Sequence, residues 1–497
     1  MHSRNFILYF FTILISFLSV HQSIGQRSRS YYVSTSGSDK NDGTKNKPFQ
    51  TIQKINSLHF NAGDTVFFKA GETYNSNSFV ISAIPGTRKS PVVITSYGTG
   101  RAIINAKDSS GIRVFNCSYI KLDHLSFIGS GRKTGNIKDG VSITNSDHVV
   151  AIDLDISGFQ KSGLLVYASQ YVELKNVFVH DNGSAGITIE GPYQRKESSN
   201  IKILYCRAEN NPGDPTKLDN HSGNGIVVGD CKNVLIDHCT ATNNGWDMPR
   251  IGNGPVGIWA YEADSVIIQH CLSYKNKTSK GGADGGGFDF DGGVTHSIIQ
   301  YCFSYDNQGS GLCIFQYCGA SPWHDNIYRY NISENDGSVS DSQAGIYIWN
   351  SSNDEKQFYN CKVYGNIIYN SKVAAISFSE TSKSKNFRLY NNIFVGKDSL
   401  IKGHDQIGDV TFEENDWWSL DSKFNIGEIK DLRMWADKTG KEKVNGKLVG
   451  LNEDPKLKSP GNSSLTSATQ LKSVSDYKLP VNSELKTKLK LNKSGWF

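Results

Sequence analysis

Proline is scarce, 12 of 497 residues against 48 glycines. That excludes a Pro-rich linker and leaves glycine as the main turn residue. The charge imbalance is small as well: a net +5 over this length does not call for nucleic acid and tolerates a neutral or acidic partner. Beyond residue 25 no stretch is long and apolar enough to span a membrane. Helical periodicity is missing through the middle of the chain. Aromatic residues reach 11%, which together with the glycines favours a β-rich fold of short strands and many turns.

Met1 to Gly25 reads as a signal peptide. Arg4 supplies the positive start, Phe6 to Val20 a short apolar core, and Ser23-Ile24-Gly25 the small residues for cleavage before Gln26. No cysteine follows the cut, so no lipid anchor is expected. The expected location is secreted or periplasmic. Nine cysteines in an exported chain raise disulfides, but their spacing points elsewhere.

Internal repetition organises the rest. From Gly163 to Gly345 a unit recurs that opens on Gly and a short alternating run: GLLV, GITI, GIVV, GIWA, GFDF, GLCI, GIYI. A second alternating run follows, as in NIKILYCRAENN and NVLIDHCTATNN, and ends in Asn or Asp. One such unit cannot bury a core alone, whereas stacked units bury a continuous one. The pattern predicts an all-β parallel β-solenoid, one coil per unit. A propeller would need four antiparallel strands per blade and hairpin turn signals, which are absent. Cys206, Cys239, Cys271 and Cys302 recur at one position, continued by Asn331, Asn366 and Asn392. They are expected to form an interior stack of free thiols passing into an asparagine ladder, ahead of disulfides or a metal site.

Segments follow from this. Residues 1–25 are the leader, and 26–90 an N-terminal strand and cap covering the open end. Residues 91–419 form the helix of coils, and 420–497 an irregular capping tail.

The opening YYVSTSGSDKNDGTKNKPFQTIQ resembles the N-terminal segment of secreted right-handed parallel β-helix proteins, the pectate-lyase-like superfamily. The run from Asn243 to Asn307, through DGGGFDFDGG, is similar to β-helix repeat proteins. The resemblance implies a right-handed parallel β-helix with an N-terminal cap and a carbohydrate-active protein. The adjacent paired aspartates and Arg-Ile-Lys of polygalacturonases are not present here. The nearest equivalent, Asp289 and Asp291, stands two residues apart.

Aligning the units assigns faces. Ile226, Val228, Ile258, Ala260, Phe288, Phe290, Leu312, Ile314, Ile346 and Ile348 should point inward. Asp289 and Asp291 should point outward, flanked along the axis by Trp259, Tyr261, Phe315, Tyr347 and Trp349. Rings beside carboxylates suit a sugar chain. The longest loops precede these strands and should carry His221, Asp247, Arg250, Lys280 and Asp284 towards the same face.

Two carboxylates repel, which splits their pKa values into an acid and a base. The expected chemistry is glycoside hydrolysis by Asp289 and Asp291, with Asp284 as a third carboxylate and no cofactor. Two residues apart on a strand is about 6.5–7 Å, near the inverting range. The expected substrate-binding residues are Trp259, Tyr261, Phe315, Tyr347, Trp349, His221, Arg250 and Lys280, and the partner a polysaccharide or oligosaccharide. The alternative is a lyase acting on uronic-acid glycan. In it calcium would sit on Asp284, Asp289 and Asp291, with Lys280, Arg250, His221 or His296 as base. A non-catalytic glycan-binding or adhesin solenoid is the third reading.

Overall fold

The computed structural model describes residues 28–76 and 78–491. The leader reading for residues 1–25 lies outside them. Three long sheets of 14, 12 and 13 strands run the length of the chain, and every pairing within them is parallel. Each coil gives one strand to each sheet. Asn224–Gly229 joins the 12-stranded sheet, Cys231–Asp237 the 14-stranded sheet and Thr240–Thr242 the 13-stranded sheet. This is a parallel β-helix, and the repeat is its coil. Among the described residues no helix is long and apolar enough to cross a membrane.

The inward assignment holds residue by residue. Ile226 pairs with Ile258, Ile258 with Phe288, Phe288 with Leu312 and Leu312 with Ile346. All five are fully buried. With one such residue per coil the interior becomes a continuous apolar column, which a single unit cannot build.

Polar ladders hold the turns. All nine cysteines are free, and eight are buried. The Cys206 amide donates to Cys239 Sγ and the Cys239 amide to Cys271 Sγ, both at 3.4 Å. From Cys302 the column passes to Asn331, Asn366, Asn392 and Asn415, each amide donating to the next Oδ1 at 2.9–3.0 Å. It ends on Glu442, whose carboxylate takes the Asn415 side chain and amide. The Asn or Asp closing each unit forms a second ladder: Asn182, Asn211, Asn244, Asn276, Asn307 and Asp336. These side chains satisfy amides that a turn leaves without a strand partner.

The C-terminal region does two jobs. Around the Leu432–Thr439 helix, Leu432 and Trp435 close the core with Phe412 and Trp417. Later residues turn back along the outside of the 13-stranded sheet. There Leu471, Tyr477, Leu479, Leu485 and Leu489 cover Leu272, Phe303, Tyr305, Ile332 and Ile367. Glu334 anchors the return by accepting from Ser463 N at 2.8 Å and Ser463 Oγ at 2.6 Å.

Candidate active site

The outer face of the 12-stranded sheet carries two columns. One runs Thr188, Val227, Trp259, Asp289, Cys313 and Tyr347 in register. The strand pleat puts the other two residues further on: Glu190, Gly229, Tyr261, Asp291, Phe315 and Trp349. Aspartates with aromatic neighbours along the axis are what the repeat alignment gave. Their environment differs from an open face. Loops roof the sheet and leave a cavity of about 810 Å³. Trp259, Phe315 and Tyr347 are buried beneath those loops, while Tyr261 and Trp349 are half-buried. All five rings still line the cavity.

The three expected aspartates divide. Asp284 and Asp291 line the cavity. Asp289 lies in the floor, only 2% exposed, with Oδ1 buried and without a hydrogen-bond partner. The separation argued for an Asp289–Asp291 pair therefore does not describe the carboxyls that open on the cavity. Asp284 Oδ2 accepts from Gly254 N at 2.7 Å, and Asp291 Oδ1 from Gly292 N at 2.7 Å. Burial raises Asp284 to about 6 and Asp291 to about 7. Asp289 has no donor to hold a charge, so burial first, then Asp291 and Asp284, push it well above the ordinary range.

Further carboxyls surround them, and these the sequence reading missed. Asp230 lines the cavity and is raised to about 6, first by burial and then by Glu262 and Glu190. Glu262 Oε1 accepts from Ser321 N at 2.8 Å, while its Oε2 is buried without a partner. Glu190 is raised by burial and accepts from the Tyr261 hydroxyl at 3.1 Å. A signal was there: Asp230, Glu262 and Glu190 close the runs GIVVGD, GIWAYE and GITIE. Gly229 makes the Tyr261–Glu190 contact physically feasible. A Cβ on Gly229 would lie 2.1 Å from the Tyr261 ring, so only glycine lets the ring reach across. Tyr193 and Tyr317 also line the cavity from loops, with no repeat signal to mark them.

Among the loop residues His221 reaches the cavity, edge-on to Trp259 with centroids 4.7 Å apart. Its tautomer follows from its neighbours. The Trp259 indole N–H donates to Asn224 Oδ1 at 3.0 Å, which turns Asn224 Nδ2 towards His221 Nδ1 at 3.0 Å. Nδ1 is thus an acceptor and the ring proton sits on Nε2. Burial, with Lys217 and Arg250 nearby, lowers this histidine to about 4, so it is neutral.

The other loop residues expected at the site stand off the cavity wall. Arg250 bonds Asn253 Oδ1 and does not line the cavity. Lys280 is exposed, also off the wall. Asp247 pairs with Arg132 and Lys133. His296 bonds Asp264 Oδ1 at 2.7 Å, both in the neighbourhood of the 14-stranded sheet and away from the cavity. Asp284, Asp289 and Asp291 are not among the described groups of three whose ligand atoms all lie within 4.8 Å of one another.

Fold and cavity together define a class: a parallel β-helix with a roofed, acidic, ring-lined cavity on the outer face of one sheet. The chain belongs to the family described as Pel9A-like, right handed beta helix region, whose model matches residues 31–386. It is 22% identical over 554 residues to a lacto-N-biosidase of Bifidobacterium longum subsp. longum, covering 88% of this chain and 32% of that protein. The chain thus spans about a third of that relative's length. The crystal structure of a GH136 lacto-N-biosidase from Eubacterium ramulus superposes with a TM-score of 0.53 at 16% identity, covering 78% of this chain and 67% of that one. The pectate lyase Pel9A structure gives a TM-score of 0.38 at 15% identity, covering 93% and 91%.

Proposed function

We propose that the chain is a glycoside hydrolase for an uncharged glycan, with Asp284 and Asp291 dividing the acid and base roles. One observation carries this reading: among the described residues three carboxyls, Asp230, Asp284 and Asp291, stand in the cavity wall and no lysine or arginine does. Hydrolysis needs one carboxyl to protonate the glycosidic oxygen as its bond to the anomeric carbon breaks. It needs a second, ionised, to take a proton from water or to attack that carbon. Groups at about 6 and about 7 supply both forms near neutral pH. Asp289, buried beneath them, is a positioning residue in this scheme.

A uronate would meet the wrong field. A carboxylate about 5 Å from one ionised wall aspartate loses about 3 kcal/mol at an effective dielectric near 20. No lysine or arginine side chain among the described wall residues offsets that. Of Lys280, Arg250, His221 and His296, only His221 reaches the wall, and it presents Nε2–H as a donor. Trp259, Tyr261 and Trp349 offer faces and edges for sugar rings, and His221 Nε2–H a donor for a hydroxyl or carbonyl. Two similar proteins carry the name lacto-N-biosidase, which agrees with hydrolysis. The apolar N-terminal run argues that the enzyme acts outside the cytoplasm.

The purified chain should be assayed against parallel panels of neutral and uronic-acid oligosaccharides, following reducing ends and ultraviolet-absorbing unsaturated ends together. Reducing ends from a neutral substrate, without unsaturation, support the proposal. Unsaturated product from a uronate, abolished by chelation, would replace it with the calcium-assisted lyase. Binding without turnover on any glycan would leave a non-catalytic solenoid.

A further inference from the structure

We infer that Asp237, His238 and His270 form a site for a divalent transition metal of the zinc type, on a different part of the solenoid from the cavity. The strand Cys231–Asp237 ends on the carboxylate, and His238 follows it. His270 follows the strand Asp264–Gln269 of the next coil. Both histidines have positive φ, 56° and 50°, in the turn from the 14-stranded to the 13-stranded sheet. Stacking of equivalent turns superposes their rings, with centroids 4.9 Å apart.

The donor atoms converge. Asp237 Oδ1 lies 2.8 Å from His238 Nδ1 and 2.9 Å from His270 Nδ1, and the group of three falls within 4.8 Å. Two imidazole nitrogens and one carboxylate oxygen match zinc and its neighbours. Calcium and magnesium prefer oxygen sets. Ligands around one tetrahedral zinc are about 3.3–3.5 Å apart, from bond lengths of about 2.0–2.2 Å. The cluster therefore needs to open by about half an ångström.

The surroundings hold the rings and leave the charge unanswered. Tyr205 stacks on His238 at 4.9 Å, and Tyr301 on His270 at 5.4 Å, so neither imidazole turns freely. Along its strand column Asp237 has only Leu204 and Gln269 beside it, and its ion-pair partners among the described residues are the two histidines. Side-chain exposures of 19%, 16% and 40% for Asp237, His238 and His270 let an ion enter from solvent. On binding, each ring presents the Nδ1 lone pair and carries its proton on Nε2. The ion then ties two successive coils, and such binding to the folded state alone stabilises it.

A second group, His296, His324 and Asp325, makes the contrast. There His296 Nδ1 is engaged by Asp264 at 2.7 Å and its Nε2 stands 3.9 Å from Asp325. His296 is thus already committed to Asp264 through Nδ1, whereas both rings of the first group turn Nδ1 to the one oxygen of Asp237.

The test uses the full chain without a polyhistidine tag, titrated with zinc alone by calorimetry, and with cobalt(II) for visible absorption. We expect one saturable equivalent, a visible cobalt band, and a higher melting temperature with zinc. Asp237→Asn and His270→Gln should each weaken binding about tenfold or more and remove the band. His296→Gln should leave both. Circular dichroism of each variant separates loss of the site from loss of fold, and His238→Gln replaces any variant that does not fold. Absence of a saturable equivalent, or one that survives Asp237→Asn and His270→Gln, overturns the assignment.

Discussion

Asp284, Asp289 and Asp291 share one largely apolar enclosure, and burial raises all three. Asp284 and Asp291 stand at about 6 and about 7, so through these two groups the folded chain binds more protons than the unfolded one from about pH 4 to about pH 7. Stability contributed by these two therefore falls as pH rises through that window and levels off above it. Asp291→Asn should raise the melting temperature at about pH 8 and leave it nearly unchanged at about pH 4, a comparison made by scanning calorimetry. The same variant, like Asp284→Asn, should lower kcat by about 10²–10⁴. Asp289→Asn keeps the size and shape of a side chain that lies in the floor and should keep kcat within about tenfold. A loss as large as that of Asp291→Asn would move the acid role to Asp289. At Gly229 the effect is steric. Gly229→Ala pushes Tyr261 off Glu190 and should destabilise by about 1–3 kcal/mol, read by denaturant unfolding.

Within a coil the strands supply the apolar column and the turns are held by polar ladders. Asn307 shows why the repeat ends in asparagine. Its amide and side chain both donate to Asp336, and its Oδ1 accepts from Asn276. Alanine there leaves buried donors and acceptors unmatched on both neighbouring coils. Asn307→Ala should cost about 1–3 kcal/mol per unmatched group, measured by denaturant unfolding of the whole chain. The same period that exposed the ladders in the sequence also marked both columns of the cavity floor. It did not mark the roof. Tyr193 and Tyr317 come from loops of unequal length, outside any period, and only the folded chain brings them to the cavity.

Over the whole molecule, the 12-stranded sheet is roofed by loops and the 13-stranded sheet by the returning tail. The tail's Leu471, Tyr477, Leu479, Leu485 and Leu489 answer a row of outward apolar residues, Leu272, Phe303, Ile332 and Ile367. Deleting residues 459–497 uncovers that row. The truncated chain should bind a hydrophobic dye, melt at a lower temperature and self-associate, as followed by light scattering. Short strands of the 13-stranded sheet, such as FSY and ISE, carry this second apolar face, but its cover lies more than a hundred residues away.

The order of residues alone determined the coil, its inward face, the free-thiol and asparagine column, and the aspartate-centred, ring-flanked surface. Each follows from a short period, and a parallel β-helix converts period directly into position. Tertiary structure decided which carboxyls the cavity can use. Asp289 and Asp291 look equivalent in GFDFDGG, yet one lies in the floor and the other lines the wall, because Trp259 and Cys313 pack beside Asp289 while a loop turns away at Gly292. It also brought Asp284 to the same wall and set Arg250, Lys280 and His296 off it. Those outcomes depend on loop paths and long-range burial, which no local spacing encodes.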